Sequence, residues 1–332
     1  MKKMTPVILL PLVLLALTLT SVHGQTSRPW KIGHVRPAGS VTHGDVQQFV
    51  DSISRDTAGR LMMDIYAGSK LGDYSVVQER VSFGEVEMFV GPFGTAVDKR
   101  LALSFTPYLV QDWEQARKVY ASSSPLLAHM RSFLAEQNIK ILAGYPVYFG
   151  GMALTVKPKG ALDPEVKKKA IIRVPPMRSF ELTARQLGYT PYPITWMYAR
   201  MGLKTGMVEG MLGGGAEGYA GLPEVRYYLP VRDHFEYWYV YMNLELWNAL
   251  DRKDQQVLLD AAAEMERRRY QQAEQLEQQS HADLSSRGVE ILPVNAEVYE
   301  DFRKRIREKV WPVLEKEIGE PFREVVRFAD SL

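Results

Sequence analysis

Cysteine is absent from the 332-residue chain. The protein therefore forms no disulfide bond and has no cysteine that could carry an N-terminal lipid. A chain of this length buries enough apolar surface to fold without cross-links, and its length favours two domains over one. The sequence also lacks internal repeats, low-complexity tracts and a second long apolar segment.

Motifs of catalysis and nucleotide binding are missing as well. There is no Gly-x-Ser-x-Gly elbow and no Gly-x-x-x-x-Gly-Lys loop, and the six histidines lack metal-site spacing. Gly213, Gly215 and Gly218 match Gly-x-Gly-x-x-Gly, but they lie far from the first strand-to-helix turn, where a dinucleotide site needs them. We therefore expect no enzymatic activity, no cofactor and no metal, and a close backbone approach at these glycines.

The one long apolar segment stands at the N-terminus. Lys2 and Lys3 precede an apolar run over residues 7–20, and small residues follow up to Gly24. This pattern is typical of a secretory signal peptide. A membrane anchor is the alternative, but the run is shorter than the roughly 20 residues that span a bilayer. We predict export and cleavage after Gly24.

The charge balance excludes a nucleic-acid partner. The chain has 41 basic and 39 acidic residues. Removing residues 1–24 takes away two lysines and no acid, so the mature chain is near neutral. Binding of nucleic acid requires a basic surface, which this composition does not supply.

Strand and helix patterns alternate along the chain, which predicts an α/β fold with mostly parallel sheets. The predicted strands cover residues 30–35, 61–66, 86–90, 140–143, 170–174, 190–194, 207–209 and 237–242. The predicted helices cover residues 45–55, 74–82, 113–138, 179–187, 252–287 and 296–329.

The helix predicted over residues 252–287 is unusually long. It contains neither proline nor glycine, and it begins after Asp251 and ends at Gly288, residues suited to capping a helix. Unbroken, it would span about 50 Å, roughly twice the width of a small lobe. We predict that it braces two lobes; the alternative is a helix broken in its middle.

Two residues are the strongest candidates for contact with a ligand. Arg173 ends an apolar strand, and the carboxyl ends of strands in open α/β sheets are where ligands bind. Its guanidinium matches a carboxylate, although a structural salt bridge is the alternative. Trp196 follows the next strand and could form the floor of a pocket, although a tryptophan of the core is the more common case.

The second half of the chain resembles the substrate-receptor subunits of TRAP (tripartite ATP-independent periplasmic) transporters. The family pattern reads roughly I-R-V-P, then L-G, then P-x-x-W, then L-x-T-G-x-V-D-G. The corresponding residues here are Ile172-Arg173-Val174-Pro175, Leu187-Gly188, Pro193 to Trp196, Leu203, Thr205-Gly206 and Val208-Glu209-Gly210.

The first half and the long helix follow the order of the same family. The residues that carry this resemblance are His34-Val35, Pro37, His43, Phe49, Gly59-Arg60, Gly68-Ser69, Leu71-Gly72, Gly84, Val86 to Met88, Pro107 to Leu109, His234, Trp247, Leu250 and the helix over 254–287.

The resemblance implies a periplasmic receptor that captures an organic acid and passes it to a membrane permease. Its fold would be a two-lobed periplasmic-binding-protein fold with a hinge and a lobe-spanning helix. We expect residues 30–150 with 240–270 to form lobe I and residues 151–239 with 271–332 to form lobe II. The mature protein is expected to be a monomer.

The resemblance also implies a ligand site. It assigns carboxylate binding to Arg173, and we expect further ligand contacts in the cleft from Trp196, Gly213, Met211, Phe93, Phe149 and His34.

Three departures from the family pattern bear on the ligand. Met211-Leu212-Gly213 replaces Gln-Glu-Asn, Tyr198 replaces a glutamate, and Gly150 stands where a second arginine is common. We expect a less polar pocket that prefers a monocarboxylate with an apolar or aromatic body to a C4-dicarboxylate. A same-fold receptor that serves a sensor or another transporter, and an exported enzyme, remain the alternative functions.

Overall fold

The computed structural model of the protein describes residues 28–332, so the predicted signal peptide lies outside the described residues. The strands are β1 Trp30–His34, β2 Met63–Tyr66, β3 Met88–Gly91, β4 Ile139–Phe149, β5 Gly151–Leu154, β6 Ile171–Val174, β7 Thr190–Pro193, β8 Gly210–Gly214, β9 Tyr227–Leu229, β10 Phe235–Asn243 and β11 Glu290–Ile291.

Helices cover much of the remaining chain. They are α1 Val41–Asp56, α2 Tyr74–Ser82, a 3-10 helix Lys99–Phe105, α3 Trp113–Val119, α4 Pro125–Ala135, α5 Arg178–Gln186, α6 Trp196–Lys204, α7 Ala216–Tyr219, α8 Leu244–Ala249, α9 Arg252–Ser286, α10 Ala296–Lys309, α11 Trp311–Ile318 and α12 Glu320–Asp330.

The strands form two separate sheets, which confirms the predicted two-lobed α/β fold. The first has the order β2-β1-β3-β10-β4 and the second β11-β9-β5-β8-β6-β7. The pairs β1–β2, β1–β3, β6–β7 and β6–β8 are parallel, as the alternating pattern predicts. Strands that enter a sheet from the other lobe, β5 and β10, pair with β8 and β3 in the antiparallel direction.

The chain passes between the sheets at two adjacent places. It leaves the first sheet through β4 and Gly150, and it returns from β9 to β10 through residues 230–234. The two passages are hydrogen-bonded to each other, because the Gly150 amide donates to the His234 carbonyl at 2.8 Å and the Arg232 amide donates to the Gly150 carbonyl at 3.0 Å. This paired crossing positions a hinge between the lobes.

The long helix α9 is unbroken, as predicted, and it contacts both lobes. It packs on β4 and α1 beside the first sheet and on α7 and β11 beside the second. The Asp251 side chain accepts a hydrogen bond from the Asp254 amide and caps the start. A buried stripe at three- and four-residue spacing faces the protein and includes Leu258, Ala262, Met265, Arg269 and Ala273.

Three element predictions were wrong in detail. The helix predicted over 113–138 is two helices, because Ser124 caps a new helix that has Pro125 at its first position. The last helical region is three helices, with breaks at Val310 and at Gly319, whose φ is +82°. The strand predicted over 207–209 lies instead at Gly210–Gly214.

Two segments within the bounds predicted for lobe II pair or pack with elements from the first half of the chain. β10 begins at Phe235 and pairs with β3 and β4. Helices α11 and α12 pack on the 3-10 helix and α4, and Trp311 Nε1 donates to the Pro107 carbonyl at 2.8 Å. An amphipathic pattern shows that a helix packs on a core, but it does not show on which core.

Within residues 28–332, no helix is both long enough and apolar enough to cross a membrane.

Candidate functional site

A cavity lies between the two sheets, at the carboxyl ends of parallel strands from both. It contains about 470 Å³ of space not occupied by atoms, part of which is open to solvent. Its lining residues are Val35, Arg36, Tyr74, Pro92, Phe105, Tyr148, Arg173, Pro175, Met177, Phe180, Trp196, Gly213, Glu236 and Trp238. Six of these side chains are aromatic, so the cavity combines apolar walls with a few charged groups.

Arg173 lies at the end of β6 and is 1% exposed. Its Nε donates to the Ile194 carbonyl at 2.8 Å. Its Nη1 is buried and has no hydrogen-bond partner within residues 28–332. Burial lowers the pKa of the guanidinium, although Tyr74, Tyr219 and Asp73 oppose that change. A structural salt bridge would have satisfied Nη1, whereas an anionic ligand in the cavity can do so.

Trp196 begins α6 and is partly buried, and it packs against the core of the second lobe as well as lining the cavity. Two guanidinium groups lie near its ring. The Cζ of Arg173 is 5.5 Å from the ring centroid, and the Cζ of Arg36 is 5.7 Å from it. Both distances suit cation–π attraction. Arg36 from the first lobe and Arg173 from the second therefore lie close to the same tryptophan ring.

Arg36 is a cavity residue that sequence reasoning missed. It follows β1, and its Nη2 donates to the Tyr148 hydroxyl at 3.0 Å. Its Cζ also lies 5.1 Å from the Trp238 ring centroid. Burial alone would lower its pKa, but Tyr148 and Glu217 raise it above the ordinary value, so Arg36 is charged. It stands between His34-Val35 and Pro37 of the motif, where the family pattern specified no residue.

Glu236 brings a carboxylate to the same wall. It lies in β10 opposite Tyr148 of β4, and it accepts hydrogen bonds from His234 Nε2 at 2.9 Å and from Trp238 Nε1. His234 Nδ1 lies 2.8 Å from Asp233 Oδ2. Burial would lower the pKa of His234, but Asp233 and Glu236 raise it to about 10, so the imidazole is protonated at neutral pH.

An outer groove adjoins the cavity. It contains about 2180 Å³ of space, part of which is open solvent, and it shares Val35, Arg36 and Trp196 with the cavity wall. Its remaining walls come from the loop before α1, from α6 and α7, and from the last turns of α9. The groove offers a route from solvent to the cavity between the lobes.

Of the seven predicted contact residues, the structure brings Arg173, Trp196 and Gly213 to the cavity wall. Gly213 has φ +81°, and a Cβ there would collide with Pro175, which is the close backbone approach expected at this position. The other four residues do not line the cavity. Met211 is buried in the second-lobe core and also borders the outer groove.

The remaining three predicted contacts are buried in the first lobe. Phe93 packs on Tyr239 and Tyr241, and Phe149 packs on Trp113 and Phe235. His34 Nε2 lies 3.1 Å from His43 Nδ1. Burial and His43 lower the pKa of His34 to about 4, so the ring is neutral at neutral pH and does not attract a carboxylate.

Gly150 departs from the family pattern for a steric reason. A Cβ at this position would collide with the His234 ring. No side chain fits where the family often has a second arginine, and the protonated His234 occupies that space. The expected loss of polarity is offset in the cavity wall by Arg36 and Glu236.

The sequence matches the model of a protein family described as bacterial extracellular solute-binding protein, family 7, over residues 32–317. The chain belongs to this family. The match covers both lobes and confirms the resemblance to TRAP receptors.

One relative in this family is the sialic acid-binding periplasmic protein SiaP of Vibrio cholerae. It is 21% identical over 182 residues, which is 54% of this chain and 56% of SiaP. The similarity to SiaP therefore spans little more than half of that relative's length.

Two solved structures share the fold across almost the whole chain. A Bordetella pertussis extracytoplasmic solute receptor binding pyroglutamic acid has a TM-score of 0.80 at 19% identity, covering 92% of this chain and 100% of that one. A Haemophilus influenzae TRAP periplasmic solute-binding protein with bound L-gulonate has a TM-score of 0.82 at 20% identity, covering 91% and 98%.

Membership of family 7 decides between the broad functional classes. The family consists of solute-binding proteins, so this chain is a receptor and not an enzyme. The cavity between the sheets is its candidate ligand site, and the family implies a periplasmic location.

Proposed function

We propose that this family 7 receptor captures a small organic acid, a monocarboxylate with an apolar or aromatic body, and delivers it to a TRAP-type membrane permease. The observation that supports this most strongly is the buried Arg173, whose Nη1 lacks a partner among the described residues and which lines a cavity with aromatic walls. A buried cationic group with an unpaired N–H donor is unfavourable, and a ligand carboxylate would compensate it.

The shape and composition of the cavity support a compact ligand. Tyr74, Phe105, Phe180 and Trp238 supply flat apolar surface on several sides of Arg173. The two structural neighbours described above carry pyroglutamic acid and L-gulonate, each with one carboxylate, which fits a single dominant anion contact. We propose that the mature receptor begins near Gln25 and works as a monomer.

A thermal-shift screen of the protein against organic acids tests this function. A ligand at 100 times its dissociation constant should stabilise the folded state by about 2.7 kcal/mol, and we expect monocarboxylates to give the largest shifts. Tighter binding of succinate or malate than of every monocarboxylate tested would contradict the ligand class. No stabilisation by any organic acid would contradict the receptor function.

The alternative of a receptor that serves a sensor or another transporter shares the same site. A neighbouring gene for a TRAP permease favours the proposed partner, and its absence together with a neighbouring sensor gene favours the alternative.

A further inference from the structure

Glu236 is an acidic side chain in a cavity that is otherwise suited to an anion. Its side chain is 9% exposed, and it lines the cavity together with Arg36 and Arg173. Glu236 and Tyr148 are paired across β10 and β4, so both side chains project from the same face of the first sheet towards the ligand space.

The protein fixes Glu236 as a hydrogen-bond acceptor. Its Oε2 accepts from His234 and its Oε1 accepts from Trp238. Trp238 Nε1 can only donate, and His234 is held between two carboxylates, so neither neighbour offers Glu236 a lone pair. Each carboxylate oxygen has two lone pairs, and one of them remains free after the bond from the protein.

A free acceptor in a mostly apolar cavity discriminates between ligands. It stabilises a ligand N–H or O–H, and it leaves a ligand acceptor in the same place without a partner. It also repels a second ligand carboxylate, since like charges are poorly screened away from water. Arg173 can bind the first carboxylate, so Arg173 and Glu236 contact different ends of one ligand.

We propose that Glu236 is the specificity-determining residue of the cavity: it selects a carboxylic acid that carries a neutral N–H or O–H donor away from its carboxylate, and it excludes dicarboxylates. This inference rests on the proposed receptor function and narrows its ligand class.

Two pairs of probes isolate the donor. The lactam pyroglutamate and its lactone analogue, 5-oxotetrahydrofuran-2-carboxylate, differ by a ring N–H against a ring oxygen. Succinamate and succinate differ by a terminal amide against a second carboxylate. Calorimetric titration should show the lactam and succinamate binding at least tenfold more tightly than their partners, because a hydrogen bond to a charged group is lost in each comparison.

The variant Glu236→Gln removes the charge and adds a donor with almost no change in shape. We expect each tenfold preference to fall to within about threefold, with succinate gaining most, because the amide can donate as well as accept. The matched control is Asp233→Asn, which makes the same change at the other partner of His234 but does not line the cavity. It should leave both preferences unchanged.

The outcomes separate this inference from the proposed function. Equal binding within both pairs of probes by the wild-type protein would overturn the role of Glu236, and this comparison needs no variant to fold. Preferences that survive in Glu236→Gln, or that are lost equally in Asp233→Asn, would also overturn it. If other organic acids bind but none of the four probes does, the inference fails while the receptor function stands.

Discussion

At the scale of single residues, the sequence pointed to Arg173, which lines the cavity, but it misplaced three other expected contacts by one position. Phe149, Phe93 and His34 were expected in the cleft, whereas Tyr148, Pro92 and Val35 line the cavity. Tyr148 and Phe149 both lie in β4, where successive side chains point to opposite faces, so a displacement of one residue moves a contact from the cavity to the core. A motif fixes the strand but not the face that it presents.

Arg36 and Glu236 illustrate what the sequence could not show. Neither residue belongs to a motif that specifies its type, and their roles depend on partners more than 100 residues away in one case and on a buried histidine in the other. Arg173 could be predicted, because it ends an apolar strand just before Val-Pro-Pro. This sequence indicates the position of the residue in the fold and also belongs to the family pattern.

The variant Arg173→Ala tests the residue on which the proposed function depends. Loss of one partner of a buried charge pair costs about 3–5 kcal/mol, so ligand affinity should fall on the order of 100-fold or more. Arg173→Lys should also bind poorly, because it keeps the charge but loses the planar fork and the hydrogen bond from Nε. Calorimetric titration measures the affinities, and circular dichroism confirms folding.

The control is Arg200→Ala, which removes an exposed arginine that borders the outer groove but not the cavity. Its affinity for the same ligand should stay within about twofold of the wild-type value, since exposed charges contribute little. Wild-type affinity in a folded Arg173→Ala protein would exclude this arginine from the site.

At the scale of elements, local signals predicted the helices better than the strand ends. The Asp251 cap and Gly288 gave the limits of α9 almost to the residue. Ser124-Pro125 also indicates that residues 113–138 divide into α3 and α4. The continuous apolar pattern nevertheless favoured a single helix. The strand β8 was misplaced because its glycines carry no strand propensity, and tertiary pairing with β5 and β6 determines it.

Arg269 joins α9 to both lobes. It is fully buried, its Nε donates to the Pro146 carbonyl at 2.8 Å, and its Nη2 lies 3.3 Å from the Val147 carbonyl and 3.4 Å from Glu217 Oε2. Pro146 and Val147 belong to β4, shortly before the chain crosses to the second sheet, and Glu217 belongs to α7. We infer that this arginine stabilises the junction between the lobes.

Arg269→Met should therefore lower the free energy of unfolding by about 3–5 kcal/mol, because it leaves two carbonyl groups and a glutamate without their partner. The matched control is Arg267→Met on the exposed face of α9, whose partner is Glu264 on the same helix. That variant should change the free energy by no more than about 0.5 kcal/mol. Chemical denaturation measures both, and equal effects would contradict the role given to Arg269.

At the scale of the whole molecule, the two-lobed fold and the family could be predicted, and the allocation of segments to lobes could not. The β10 strand belongs to the first sheet, and the last two helices pack on the 3-10 helix and on α4, although all three follow second-lobe segments in the chain. Where a chain crosses between lobes more than once, its amino-acid composition does not change at the crossings. Contact with one core or the other decides the allocation, and burial patterns are the same in both cases.

A cavity walled by both lobes also makes a prediction about motion. A ligand between Arg36 on one lobe and Arg173 on the other favours the closed state by its differential affinity for that state. We expect the lobes to rotate about the paired crossing at Gly150 and His234 while α9 stays intact.

Small-angle X-ray scattering of the wild-type protein and of Arg173→Ala, each with and without the tightest organic acid from the thermal-shift screen, tests the central claim most directly. We predict that the ligand reduces the radius of gyration of the wild-type protein and leaves that of Arg173→Ala unchanged. No compaction of the wild-type protein at saturating ligand, or equal compaction of both proteins, would contradict a receptor that closes on a carboxylate through Arg173.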